Sequence, residues 1–144
     1  MRSSWWIVVA VVLLLAVGGG VVYTMTRGLR NNNPGNIRRT SDRWQGETAE
    51  QTDAEFVQFV SPEYGIRAMT VLLRNYRAAG RNTIRKIITR WAPASENDTA
   101  AYVDSVSSYT GIDPDRQLTD GDMPLVIAAI IRHENGVMPY DYAL

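Results

Sequence analysis

The octapeptide AIIRHENG, residues 129–136, is where the sequence most readily offers chemistry. An apolar run closes on Glu134, and Asn135 and Gly136 follow. At the C-terminal end of a helix the macrodipole disfavours an ionised carboxyl by a few tenths to about 1 kcal/mol. Apolar neighbours disfavour the charge further by desolvation. Both effects favour the protonated form that a general acid must present. The ordinary alternative is a solvated glutamate in a last helical turn. His133 stands one residue before it, points elsewhere around the helix, and is expected to be structural or at the surface. The chain has no cysteine and one histidine. That excludes a disulfide, a thiolate zinc site, a cysteine nucleophile and a multi-histidine metal site. Nothing in the sequence asks for a cofactor.

Several helices must position such a group. SPEYGIRAMTVLLRNYRAAG predicts a helix capped by Ser61, with Pro62 in its first position, apolar residues from Ile66 to Tyr76 at helical spacing, and Gly80 as its stop. TIRKIITRW predicts a second, with Ile84, Ile87, Ile88 and Trp91 on one face. NDTAAYVDSVSSYTG predicts a third, capped at Asn97 or Asp98, ended by Gly111 and buried through Tyr102, Val103 and Val106. MPLVIAAIIRHENG predicts the last, apolar nearly all round and therefore central. Residues 28–53 are rich in Asn, Gly and Thr and read as loop, with a small β-hairpin around WQGETAEQTDAEFVQF and with Phe56 and Phe59 entering the core. The expected fold class is mainly α.

Between Arg2 and Arg27 lie 24 residues without a charge. As a helix they would extend about 36 Å at about 1.5 Å per residue, enough for a hydrocarbon core of about 30 Å. Trp5, Trp6 and Tyr23 would stand at its interfaces. The sequence thus predicts two parts: a transmembrane anchor and flank over 1–27, and one domain over 28–144. The expected location is a virion membrane or a host inner membrane, by a single N-terminal span that contacts lipid. The whole chain has 15 basic and 15 acidic residues. Setting aside Arg2 and Arg27 leaves 13 basic residues against the same 15 acids, so residues 28–144 carry a net −2. That argues against nucleic acid as a partner, because nonspecific binding needs a basic excess.

The stretches RGLRNNNPGNIRR, WQG, FVSPEYGIRAM, WAPASENDTAAYV and AIIRHENGVMPY, in that order, resemble a family of phage proteins. That family includes the muralytic enzyme carried in virions of enveloped double-stranded RNA phages. A remoter likeness is to bacterial cell-wall glucosaminidases. In those an Asn-rich turn, a Trp-x-Gly, an acid-bearing hairpin and a long helix follow the helix that carries the catalytic glutamate. Here the matching Glu-small-Gly helix stands at the far end, as in a circular permutation.

The resemblance implies a lysozyme-like, lytic-transglycosylase-like domain that degrades peptidoglycan during infection or lysis. It implies Glu134 as the catalytic acid, with Asn36 and Asn33 of the Asn-rich turn binding sugar hydroxyls and N-acetyl groups. It also implies Tyr102 as an orienting residue and Trp44 as a stacking platform. If the sugar's own 6-hydroxyl completes the reaction, one carboxyl suffices. If water attacks, a second carboxylate should face Glu134, and Glu47, with Glu50 and Asp53 behind it, comes from the matching hairpin. Peptidoglycan is the expected partner, with other virion membrane proteins beside it. Two other classes remain: a peptidoglycan endopeptidase, and a noncatalytic virion membrane protein that keeps the shape.

Overall fold

A computed structural model describes residues 25–141. The helices are α1 (Arg27–Arg30), α2 (Pro62–Ala78), α3 (Ile84–Trp91), α4 (Thr99–Thr110) and α5 (Met123–Asn135), with a 3-10 turn at Asp120–Asp122 leading into α5. The start and stop signals are local ones. Thr83 accepts the Lys86 N–H at 3.2 Å and Asp98 accepts the Ala101 N–H at 3.0 Å, each satisfying a donor of an open helix end. Gly111 and Gly136 close α4 and α5 in the left-handed conformation.

α5 is the axis of the fold. Its residues Val126 to Ile131 are all buried, and α1, α2 and α4 pack against it while α3 rests on α2 and α4. Ile84, Ile87 and Ile88 of α3 and Met69 and Leu73 of α2 are wholly enclosed in the same core, with Tyr102, Val103 and Val106 of α4. Contact of these apolar faces carries the fold, since short helices are marginal by themselves.

Two expectations need correction. The first is the membrane anchor. Among the described residues no helix is long and apolar enough to cross a membrane. The transmembrane helix, the single-pass location and the lipid contact through it are therefore not upheld. Residues 1–24, on which most of that reading fell, lie outside the described residues. The flank of the expected anchor is described and packs on the domain. Arg27 opens α1 and is gripped by Asp53, with Nε and Nη2 each donating at 2.7 Å to one carboxylate oxygen, and its guanidinium lies 4.6 Å from the Phe56 ring centre. Thr26 and Arg27 thus belong to the folded domain.

The second correction is the β-hairpin. Among the described residues there are no strands, only isolated antiparallel bridges, Arg38 with Phe56 and Glu47 with Phe59. A few backbone pairs remain, such as the Val57 N–H to the Ile37 carbonyl and the Thr48 N–H to the Gln58 carbonyl, and side chains take others that a ladder would pair. The Gln58 side-chain oxygen accepts the N–H groups of Thr52 and Asp53. The Gln51 amide bonds both the N–H and the carbonyl of Gln58. Asp53 accepts the N–H groups of Glu55 and Phe56.

Asp53 is consequently fixed by charge as well as geometry. The Arg27 guanidinium, then the Phe56 N–H, the Asn31 amide and the Glu55 N–H, hold its carboxyl far below the usual carboxylate range. A depressed folded-state value adds stability above the unfolded value of about 3.9, and this is lost as pH falls below it. We expect the thermal midpoint of the wild type to drop more steeply below about pH 4 than that of Asp53→Asn, measured by circular dichroism at fixed ionic strength. Parallel acid limbs would contradict the assignment.

Candidate active site

The site is assembled from the turn after α1, the end of α5 and the middle of α4. The turn Asn31–Asn36 folds back beneath α1, with the Asn33 N–H donating to the Gly28 carbonyl at 2.9 Å and the Asn36 N–H to the Asn33 carbonyl at 3.0 Å. Asn32 and Asn36 adopt positive φ, 52° and 50°, a region that asparagine tolerates better than most residues. The turn also passes close to α2: a Cβ on Gly65 would run into the Asn32 carbonyl, so only glycine admits the loop here.

Most of the asparagines work inward. Asn33 is wholly buried; its amide donates to the carbonyls of Ile37 (2.9 Å) and Val57 (2.8 Å), and its oxygen accepts the Ile37 N–H at 2.9 Å. It organises the loop and has no face left for a ligand. Asn31 donates to Asp53 and Asn32 to the Phe59 carbonyl. Asn36 alone reaches a reactive group, its Nδ2 donating to Glu134 Oε2 at 2.9 Å. The Asn36 Oδ1 is buried and finds no hydrogen-bond partner among the described residues. It lies where Gly28 has no side chain: a Cβ there would come within 2.8 Å of it. The reversed amide would set two acceptors against each other, so Glu134 fixes the orientation despite the orphaned oxygen.

The other carboxylate oxygen of Glu134 accepts the Tyr102 hydroxyl at 2.9 Å. Burial, and then the neighbouring Glu134 charge, push the phenol well above its ordinary value, only partly offset by the Trp91 indole. Tyr102 therefore stays protonated and remains a donor. The His133 ring lies on the Tyr102 ring, centres 3.7 Å apart and planes 31° off parallel. Burial of its covered face lowers the imidazole's affinity for a proton, and the Glu134 charge only partly restores it. Next along the helix, Asn135 takes the Thr26 hydroxyl at 2.6 Å and donates to the Pro34 and Ile131 carbonyls. The last turn of α5 is thereby tied to the cap of α1 and to the Asn-rich turn itself.

Glu134 opens into a cleft of about 420 Å³. Aromatic walls come from Trp44, Phe56, Tyr76 and Trp91, and polar groups from Thr40, Asn36 and Asn97. Trp91 meets Tyr76 edge to face at 6.5 Å. Arg38 and Arg90 line the same space, as do Asp42 and Glu96. Such a surface suits a sugar ring, whose faces are apolar and whose rim is hydroxylated. A second cavity of about 460 Å³, between α2 and α5, is lined by Ile66, Ile127 and Ile131 among others and does not include Glu134.

Of the residues singled out in the sequence, Glu134, Asn36 and Trp44 share the cleft, Tyr102 lies directly behind Glu134, and Asn33 is interior. Glu47 does not line the cleft. Its carboxylate accepts the Trp44 N–H at 2.8 Å and closes the turn that presents the indole. Asp53 is occupied by Arg27. The acids that do accompany Glu134 are Asp42, which takes the Thr40 hydroxyl at 3.1 Å, and Glu96, which pairs with Arg38 at 3.2 Å. Sequence reasoning missed these, together with Tyr76, Arg38 and Arg90. They come together only when α2, α3 and the loops pack, so no spacing in the sequence announces them. Among the described residues no group of three or more His, Asp or Glu side chains is placed to hold a metal ion.

Compared with known proteins, the chain is 47% identical over 120 residues to "Protein P5" of Pseudoalteromonas phage PM2, an alignment covering 81% of this chain and 75% of that one. No protein-family model matches the chain.

Proposed function

The chain belongs to the family of Protein P5 of Pseudoalteromonas phage PM2, and from that phage kinship and the Glu134 cleft we propose that it is a phage enzyme cleaving the glycan strand of peptidoglycan. One observation carries the reading: a carboxyl held on one oxygen by an amide from the front of the domain and on the other by a buried phenol, at an aromatic cleft. The resemblance to phage muralytic proteins in the motifs around both groups supports it.

In this mechanism the sugar rings lie against Trp44 and Trp91, and the bridging oxygen of a β-1,4 bond sits at Glu134. Protonated Glu134 gives its proton to that oxygen as the C1–O bond breaks, and positive charge spreads over C1 and the ring oxygen. Asn36 and Tyr102 then stabilise the carboxylate that remains, as donors already in place before charge develops. Attack by the 6-hydroxyl of the same sugar on C1 returns a proton to Glu134 and closes a 1,6-anhydro ring. This route needs no second carboxylate. Attack by water needs one, and besides Glu134 itself Asp42 is the acid of the cleft that no cation among the described residues holds.

Digestion of purified cell walls by the full chain, followed by mass spectrometry of the released fragments, tests the proposal. Anhydro-sugar ends establish the intramolecular route and new reducing ends the hydrolytic one. Free peptide ends without glycan cleavage would make the protein an endopeptidase. No release at all would leave a noncatalytic virion protein.

A further inference from the structure

Arg90 is the arginine of the cleft that no carboxylate among the described residues holds. It stands in the last turn of α3, its guanidinium 5.6 Å from the Tyr76 ring centre. The other cleft arginine, Arg38, is held by Glu96. Among the described residues no carboxylate lies within ion-pair distance of Arg90, and no hydrogen bond engages its fork. Tyr76 is in turn braced by Trp91, so the guanidinium rests on an ordered aromatic pair that itself lines the cleft. Stacking leaves the N–H edges of a planar guanidinium free, and those edges match a carboxylate in two parallel bonds. Arg90 is itself exposed, as helix-end arginines usually are, and exposure alone calls for no ligand. An arginine braced on the wall of a sugar-sized cleft, with its edges unfilled, has the form of a receptor for an anion.

A neutral glycan offers no such anion. A peptidoglycan strand does, because the peptides attached to alternate sugars carry carboxylates. Resting on the glycan-cleaving reading above, we propose that Arg90 binds a carboxylate of the peptide stem and makes the cleft selective for peptide-bearing strands. Tyr76 and Trp91 set the height of the guanidinium above the cleft floor, and Arg38 and Glu96 neutralise each other on the same wall.

Calorimetric titration of the full chain carrying Glu134→Gln, which holds strands without cutting them, tests this. Two ligands are compared: glycan fragments with their peptides, and the same fragments stripped by an amidase. The peptide-bearing ligand is expected to bind about tenfold more tightly, the worth of one hydrogen-bonded charge. Adding Arg90→Ala should remove most of that ratio, and Arg90→Lys, a point charge without the fork, should restore part of it. An equal ratio with and without Arg90, or no preference to begin with, overturns the proposal. Preference for peptide-bearing strands in a protein whose Glu134 form releases no fragments would sink the glycan-cleaving reading and leave Arg90 in its role. Failure to bind either ligand would overturn both.

Discussion

Glu134→Gln is expected to lower the release of fragments from purified cell walls by about 10²- to 10⁴-fold, the usual contribution of a positioned general acid. The substitution should leave the thermal midpoint within a few degrees of wild type. The two expectations come from one geometry. Glutamine has the shape of glutamate, and its oxygen can accept the Asn36 amide in place of Oε2. Its nitrogen then faces the Tyr102 oxygen, which can accept as well as donate. Both heavy-atom contacts survive, the Tyr102 one reversed so that its hydroxyl proton loses the Glu134 acceptor, and the transferable proton is gone. Glu134→Asp is the complementary variant. It keeps the acid but withdraws it from both donors, so activity should fall while protons remain available. Full activity in the glutamine variant would remove Glu134 from the mechanism. Collapse of the fold would mean that the carboxylate is part of the structure before it is part of any chemistry.

The ends of the helices were legible because their signals are local. Pro62 and Gly111 stand where the sequence sets them, and Asp98 accepts a backbone N–H within its own turn, whereas Ser61 holds the cap position without a side-chain bond. Glu134 was legible for the same reason: its oddity is its place at the end of an apolar helix. Its partners were not, since Asn36 is 98 residues away and Tyr102 is 32. Asn33 and Asn36 looked alike as candidate ligands, yet Asn33 bonds the backbone of Ile37 and Val57 and Asn36 bonds Glu134. Position in a turn, which composition does not reveal, decides which amide faces out. The stretch from Trp44 to Phe59, expected to hold a small hairpin, forms a loop with isolated bridges instead. Gln51, Asp53 and Gln58 can bond the backbone themselves, and nothing in the pattern says that they will. Hydropathy placed the expected anchor between Arg2 and Arg27 and left Arg27 as its flank. It gives no weight to the carboxylate at Asp53 that draws Arg27 into the domain.

Asn33→Ala is expected to destabilise the domain by about 3 kcal/mol, although no apolar packing of any size is lost. The side chain is 0% exposed. Its removal leaves the Ile37 N–H and the Val57 carbonyl without their partners, and water cannot reach in to replace them. Each buried orphan costs about 1–3 kcal/mol. The Ile37 carbonyl is spared, because it also accepts the Val57 N–H at 3.0 Å. Against a total stability of about 5–15 kcal/mol the loss is large, and at about 4 °C per kcal/mol it lowers the midpoint by about 10 °C. Asn33→Asp separates hydrogen bonding from volume. It keeps the acceptor for Ile37 but turns a second acceptor toward two carbonyls, so its charged form is penalised in the folded state. A folded-state value raised in this way gives stability below the unfolded value of about 4 that is lost as pH rises through it. Asn33→Asp should therefore approach wild type in acid and fall away toward neutrality, the opposite slope to that expected around Asp53. Urea melts at pH 4 and pH 7 measure both variants. A midpoint within experimental error of wild type for Asn33→Ala would show that the loop holds its shape by other means. In that case the Asn36 amide would not owe its place beside Glu134 to the buried asparagine.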